Sequence, residues 1–211
     1  MDKKMKAELI KIFPEPIMLT KYEADFSEEL RFVQNIEYVE NTGNGNFTSK
    51  DNYLLKHPEL AKLKKFIDEA LDNFTTHILH STQKLRTTQS WTSRNPPGSF
   101  HHDHMHPNSI FSCCFYFVQN KDHPPIVYFN RASNRLLLHY TVDGLNADIN
   151  AGTYVLPCEA GQMVIFPSHL WHKVPINQGK GDRLSFSINT FAKSELGDMD
   201  NLTHLNVKDE N

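Results

Sequence analysis

Two hydrophobic periods divide the chain. The first third carries apolar positions spaced near 3.6 residues. "FSEELRFVQNIEYVE" (26–40) predicts a helix with Ser27 as cap candidate. "PELAKLKKFIDEALDNFTTHIL" (58–79) is the strongest helical segment. Pro58 suits a first turn, and Leu60, Leu63, Phe66, Ile67, Ala70, Leu71 and Phe74 form one stripe. "ELIKIFPEPIMLTKY" (8–22) reads as one or two short strands broken at Pro14 and Pro16, and "NTGNGNFTSKDN" (41–52) as a loop.

From about residue 85 the pattern changes to short apolar or alternating runs. Segments 85–94, 109–118, 125–130, 135–142, 152–157, 162–167 and 183–191 read as strands. Pro96-Pro97-Gly98, Pro124-Pro125, Asp143-Gly144 and Gly179-Lys180-Gly181 supply turn signals between them. Helices followed by many short strands predict a mainly β protein, a sandwich or barrel with N-terminal helices packed on one face. One domain is expected over 1–194, with a helical part at about 20–81 and a strand-rich core at about 85–191. The polar tail, 195–211, is a candidate disordered segment.

Composition narrows the partners. Among 211 residues, 22 basic and 25 acidic side chains give a net charge of −3, with no basic stripe of the kind nucleic acid requires. No apolar run approaches a membrane span, and the start lacks the pattern of a signal peptide. Cys113, Cys114 and Cys158 are not spaced as a zinc ribbon or disulfide framework, and Cys113 and Cys114 sit in an apolar run as buried thiols. A soluble cytoplasmic protein is expected, with a homodimer as the default assembly.

The stretch "SFHHDHMHPNS" (99–109) gathers four histidines and an aspartate into positions 101–106. On a regular strand His102, His104 and His106 share one face, and His101 and Asp103 the other. Neighbours two apart can reach one ion, so His102/His104, His104/His106 and His101/Asp103 are alternative pairs. Pro107 should end regular pairing and put the cluster at a sheet rim. Further along, "AGQMVIFPSHLWHKVPINQGKGDRLSFSINTF" (160–191) offers His169 and His172, then a strand opening at Arg183. There Arg183, Ser185, Ser187 and Asn189 share one face, and Leu184, Phe186 and Ile188 the other. Arg183 and Ser185 on an inner face would make a carboxylate clamp.

These residues resemble a known family, the Fe(II)/2-oxoglutarate-dependent oxygenases, and within it a branch of small oxygenases similar to prolyl hydroxylases. "SWTSRNPPGSFHHDHMHPNSIFSCCFYF" and the 160–191 segment carry the resemblance, supported by "IFPEPIMLTKY" and "HPELAKLKKFI". The resemblance implies a double-stranded β-helix (jelly roll) and the cofactors Fe(II) and 2-oxoglutarate. It implies that His172 is the distal metal ligand, that Arg183 binds the far carboxylate of 2-oxoglutarate and that Ser185 is its hydroxyl partner. The branch motif His-x-His-Pro-x-Ser matches His104 to Ser109, making His104 and His106 the proximal ligands. The superfamily's broader His-x-Asp pattern keeps Asp103 as the alternative, and His169 competes with His172. Tyr116 is implied as a hydrogen-bond partner of the co-substrate, and no catalytic group is implied beyond the ligands. The implied reaction consumes O2 and 2-oxoglutarate, hydroxylates an unidentified protein or small-molecule substrate, and releases succinate and CO2. Trp91 and Asn95 are candidate pocket-rim residues, and loops 41–52 and 143–151 are candidate covers. A cupin-like zinc or thiol-dioxygenase enzyme and a non-catalytic β-sandwich module are the competing readings.

Overall fold

The computed structural model describes residues 8, 10, 14–130 and 151–207. The expected strand at 135–142 and the cover loop at 143–151 lie outside the described residues, apart from Ala151.

Two antiparallel sheets build the body. The larger takes β1 (Met18–Lys21), β2 (Tyr38–Asn41), β3 (Asn46–Ser49), β4 (Leu85–Asn95), β6 (Phe111–Val118), β9 (Gln162–Pro167) and β11 (Arg183–Ala192) in the order β1-β9-β6-β11-β4-β3-β2. The smaller takes β5 (His101–His104), β7 (Ile126–Phe129), β8 (Thr153–Leu156) and β10 (His172–Val174) in the order β5-β10-β7-β8. Cys114, Tyr116, Val164 and Phe166 of the larger sheet cluster with Ile126 and Tyr128 of the smaller one and with Cys158, so the sheets face each other across this inner core. The architecture is the expected jelly roll.

The outer face of the larger sheet carries the alternate residues. Cys113, Phe115, Phe117, Met163, Ile165, Leu184, Phe186 and Ile188 share a second core with Val33 of α1 (Ser27–Gln34) and with Leu63, Ile67, Ala70 and Leu71 of α2 (Ala61–Asn73). The stripe of α2 thus lies on the sheet, where each large apolar side chain contributes about 1.5–3 kcal/mol. A short 3₁₀ turn with Pro58 at its first position leads into α2, and a π turn, Phe74–Ile78, ends the helical run.

The sequence reading differs in three places. The helix expected over 26–40 stops at Gln34; Tyr38–Asn41, at the end of that expected helix, pairs in a hairpin with Asn46–Ser49, inside the expected loop. Both strands are four residues long, too short to show a period of two, and Gly43 (φ 85°) and Gly45 (φ 67°) supply the turn. Ser27 is not the cap: its N–H and hydroxyl both donate to Asp25, at 3.1 and 2.8 Å. The polar tail forms a small hairpin, β12 (Ser194–Leu196) with β13 (Leu205–Val207).

Candidate metal centre

Three histidines meet at the open end between the sheets. His104 closes β5, His172 opens β10, and the two are direct partners across the ladder. His106 follows two residues later, in a turn made by Pro107 and Asn108. Asn108 takes a left-handed φ of 57°, a conformation asparagine tolerates better than most residues. The turn is tied down by the His106 N–H, which donates to Ser168 O at 3.0 Å. Candidate donor nitrogens of His104, His106 and His172 lie within 4.8 Å of one another. Small ring rotations suffice to bring three such atoms to one ion at about 2.1 Å each.

Hydrogen bonds fix which nitrogen each ring offers. His104 Nδ1 meets His102 O at 2.9 Å, and His172 Nδ1 meets Leu170 O at 2.9 Å. A carbonyl only accepts, so both Nδ1 atoms carry the proton and both Nε2 atoms keep the lone pair. His106 Nδ1 lies 2.6 Å from Asn189 Oδ1, which also accepts from the Ser112 hydroxyl at 3.2 Å. Ser112, Ser168 and Ser109 continue this as a run of hydroxyls at 2.8 Å spacing. His106 Nε2 is buried and has no hydrogen-bond partner among the described residues.

Burial keeps the rings neutral. It lowers His104 to about 4 and His172 to about 2, with help for both from the neighbouring histidines, and it lowers His106 against the opposing pull of its bond to Asn189. Neutral imidazole is the metal-binding form.

The strand alternation expected for the cluster fails at one point. His172 pairs with His104, but Val174 pairs with His101, so β5 carries an extra residue and a bulge. The bulge turns His101 inward, stacked on His104 with centroids 4.4 Å apart, and leaves His102 and Asp103 exposed. The expected grouping of His102 with His104 and His106, opposite His101, is therefore replaced. Asp103 belongs to neither group of potential metal donors found among the described residues. His169 is exposed and pairs with Glu15 at 3.2 Å, away from the centre.

Arg183 lies deeper, on the inner face of β11, where Asn95 is its partner on β4. It is only 1% exposed. One guanidinium nitrogen donates to Ser185 Oγ at 3.1 Å, and the guanidinium sits 5.2 Å over the Tyr116 ring. Arg183 Nε, the hydroxyls of Tyr116 and Tyr128 and both amide atoms of Asn95 are buried without a hydrogen-bond partner among the described residues. No carboxylate among the described residues pairs with Arg183. A buried cation left this way is costly, and a ligand carboxylate meets its geometry. Burial and the Arg183 charge together act on the neighbouring Cys114 thiol in opposite senses, burial dominating and raising its pKa.

Several residues here gave little signal in the sequence. Asn189 was visible only as one of four polar positions on a face. Tyr128 read as an ordinary strand aromatic. Trp91 does reach the centre, its ring stacked on His106 at 5.8 Å.

Comparison with known proteins fits this geometry. A family model described as "Putative 2OG-Fe(II) oxygenase" matches residues 89–189, a span holding His104, His106, His172 and Arg183. No curated protein matches the sequence. Among solved structures, HygX from Streptomyces hygroscopicus, crystallised with nickel, 2-oxoglutarate and hygromycin B, is 12% identical, with a TM-score of 0.60 over 83% of this chain and 82% of that one. The 2-oxoglutarate-dependent epimerase SnoN of nogalamycin biosynthesis is 14% identical, with a TM-score of 0.61 over 84% of this chain and 78% of that one. A Pseudomonas putida prolyl-4-hydroxylase is 13% identical, with a TM-score of 0.56 over 85% of this chain and 94% of that one. These likenesses establish the shared fold, and the family match covers both histidine segments and the arginine. Residues 89–189 thus match the family model of the Fe(II)- and 2-oxoglutarate-dependent oxygenases, on a fold shared with these solved structures.

Proposed function

We propose that the protein hydroxylates an as yet unidentified substrate, using His104, His106 and His172 to hold Fe(II) and Arg183 to hold 2-oxoglutarate. The observation that carries this reading is the buried Arg183, whose charge no carboxylate among the described residues balances. Its fork, with the Ser185 hydroxyl beside it, suits the far carboxylate of the keto acid. The Tyr116 hydroxyl supplies a further donor. Bound iron supplies O2 activation and the oxidation of a substrate C–H bond, coupled to decarboxylation of 2-oxoglutarate to succinate. The chain's own groups bind and orient. The three Nδ1–H bonds fix the ligand rings, and the Ser112 hydroxyl donates to the same Asn189 oxygen that accepts from His106. Val164, Phe166, Ile126 and Cys114 form an apolar floor that excludes water. An all-histidine set would bring no negative charge to a bound metal.

The three free, buried cysteines support a reducing, cytoplasmic setting. Residues 1–194 are read as one oxygenase domain. No helix among the described residues is long and apolar enough to cross a membrane.

The test is optical. Fe(II) and 2-oxoglutarate are added without oxygen to metal-free protein, and the visible spectrum is recorded. A weak charge-transfer band that needs both additions supports the proposal. Tight Fe(II) binding with no band on adding 2-oxoglutarate would favour the cupin-like alternative.

A further inference from the structure

The inner set leaves two histidines of the cluster without a role. We propose that His101, His102 and His104 form a second, outer site for a divalent transition-metal cation, exclusive of the inner site because both require His104. Candidate donor nitrogens of these three also lie within 4.8 Å of one another. Their ring centroids are 5.1 Å apart for His101 and His102, 4.4 Å for His101 and His104, and 5.5 Å for His102 and His104. The bulge in β5 creates this group, because an unbroken strand would put His101 and His104 on opposite faces.

The donor chemistry suits Fe(II), Co(II), Ni(II) or Zn(II), for which neutral imidazole is a good ligand. The Asn44 amide nitrogen, on a buried residue, lies 2.9 Å from His102 Nδ1. Metal binding through His102 Nε2 therefore requires this amide to turn its oxygen towards the ring, the arrangement that Asn189 already presents to His106.

Burial grades the two sites. His102 is exposed, His101 and His104 are half-buried, and His172 is 5% exposed. His104 Nδ1 is committed to His102 O, so its single free nitrogen serves one ion at a time. A cation caught outside can therefore pass inward by exchanging His101 and His102 for His106 and His172 without leaving His104. The transfer rests on the inner-site reading above, whereas the outer site stands without it.

Co(II) titration of metal-free protein, followed by calorimetry and the visible ligand-field band, tests the proposal. Wild type should bind one ion. His172→Ala should still bind one, weakened roughly tenfold or more, and adding His101→Ala should remove it. His106→Ala serves as the second variant if His172→Ala fails to keep its near-UV circular dichroism. In stopped-flow mixing, His102→Ala should load more slowly to nearly the same final affinity. Folded His172→Ala or His106→Ala protein that binds no Co(II) would overturn the outer site and leave the inner one intact. Two ions bound by wild type would overturn the sharing of His104. Loss of binding in His101→Ala with full affinity in His172→Ala would uphold the outer site and sink the inner one.

Discussion

The histidine cluster should make the metal-free protein acid-labile. Burial, the largest cause in each case, lowers His101 to about 3, His104 to about 4 and His172 to about 2. In the unfolded chain each returns to about 6.5. Between about pH 4 and 6.5 the unfolded state therefore binds more protons, and stability falls as pH falls. Each group contributes up to about 1.4 kcal/mol per pH unit in that window, so the three together approach 4 kcal/mol per unit. Against a typical stability of about 5–15 kcal/mol, the metal-free protein should unfold within about one to four units below 6.5. Above about 7.5 these groups add no slope. Urea unfolding with a chelator present, repeated from pH 8 to 4.5, reads the effect as the number of protons taken up on unfolding. The expected uptake approaches three, and His101→Asn should lower it by about one. An uptake below one, or no change in His101→Asn, would refute the neutral buried cluster.

Other consequences are equally direct. Arg183→Leu should weaken 2-oxoglutarate binding by about 3 kcal/mol or more, over a hundredfold, while Co(II) affinity holds; equal losses in both would mean a general collapse. Tyr116→Phe removes a hydroxyl with no hydrogen-bond partner among the described residues, so it should cost about 1.5–3 kcal/mol of 2-oxoglutarate binding with little fall in melting temperature. Asn189→Ala should weaken metal binding about 10–100-fold by freeing the His106 ring, and unchanged affinity would show the bond to be incidental. Ile67→Ala, at the contact of α2 with the larger sheet, should cost about 2–5 kcal/mol in urea unfolding at pH 8, and a smaller loss would mean the helix is loosely held.

Much of this was legible in the sequence, for identifiable reasons. β6, β9 and β11 are long apolar or alternating runs, and their two faces separate cleanly into the two cores. The stripe of α2 is long enough to show its period. β2 and β3 were lost because four residues carry no period, and the hairpin's glycines resemble those of any loop. In the site, the spacing of His104, His106, His172 and Arg183 could be read, but the side His101 takes could not. That side depends on one extra residue in β5 relative to β10, and register is a property of two strands. Asn189 gave little signal for the same reason, since its partners His106 and Ser112 are distant in the chain.

Arg183, which no carboxylate among the described residues balances, has a consequence beyond binding geometry. Folding buries its charge at an electrostatic cost that a dicarboxylate ligand can offset. Any ligand that binds only the folded state raises stability with its concentration, by about 2.7 kcal/mol at a hundred times its dissociation constant. The persistence of this protein against unfolding and proteolysis should therefore track the supply of 2-oxoglutarate, tying its abundance to carbon metabolism through thermodynamics alone.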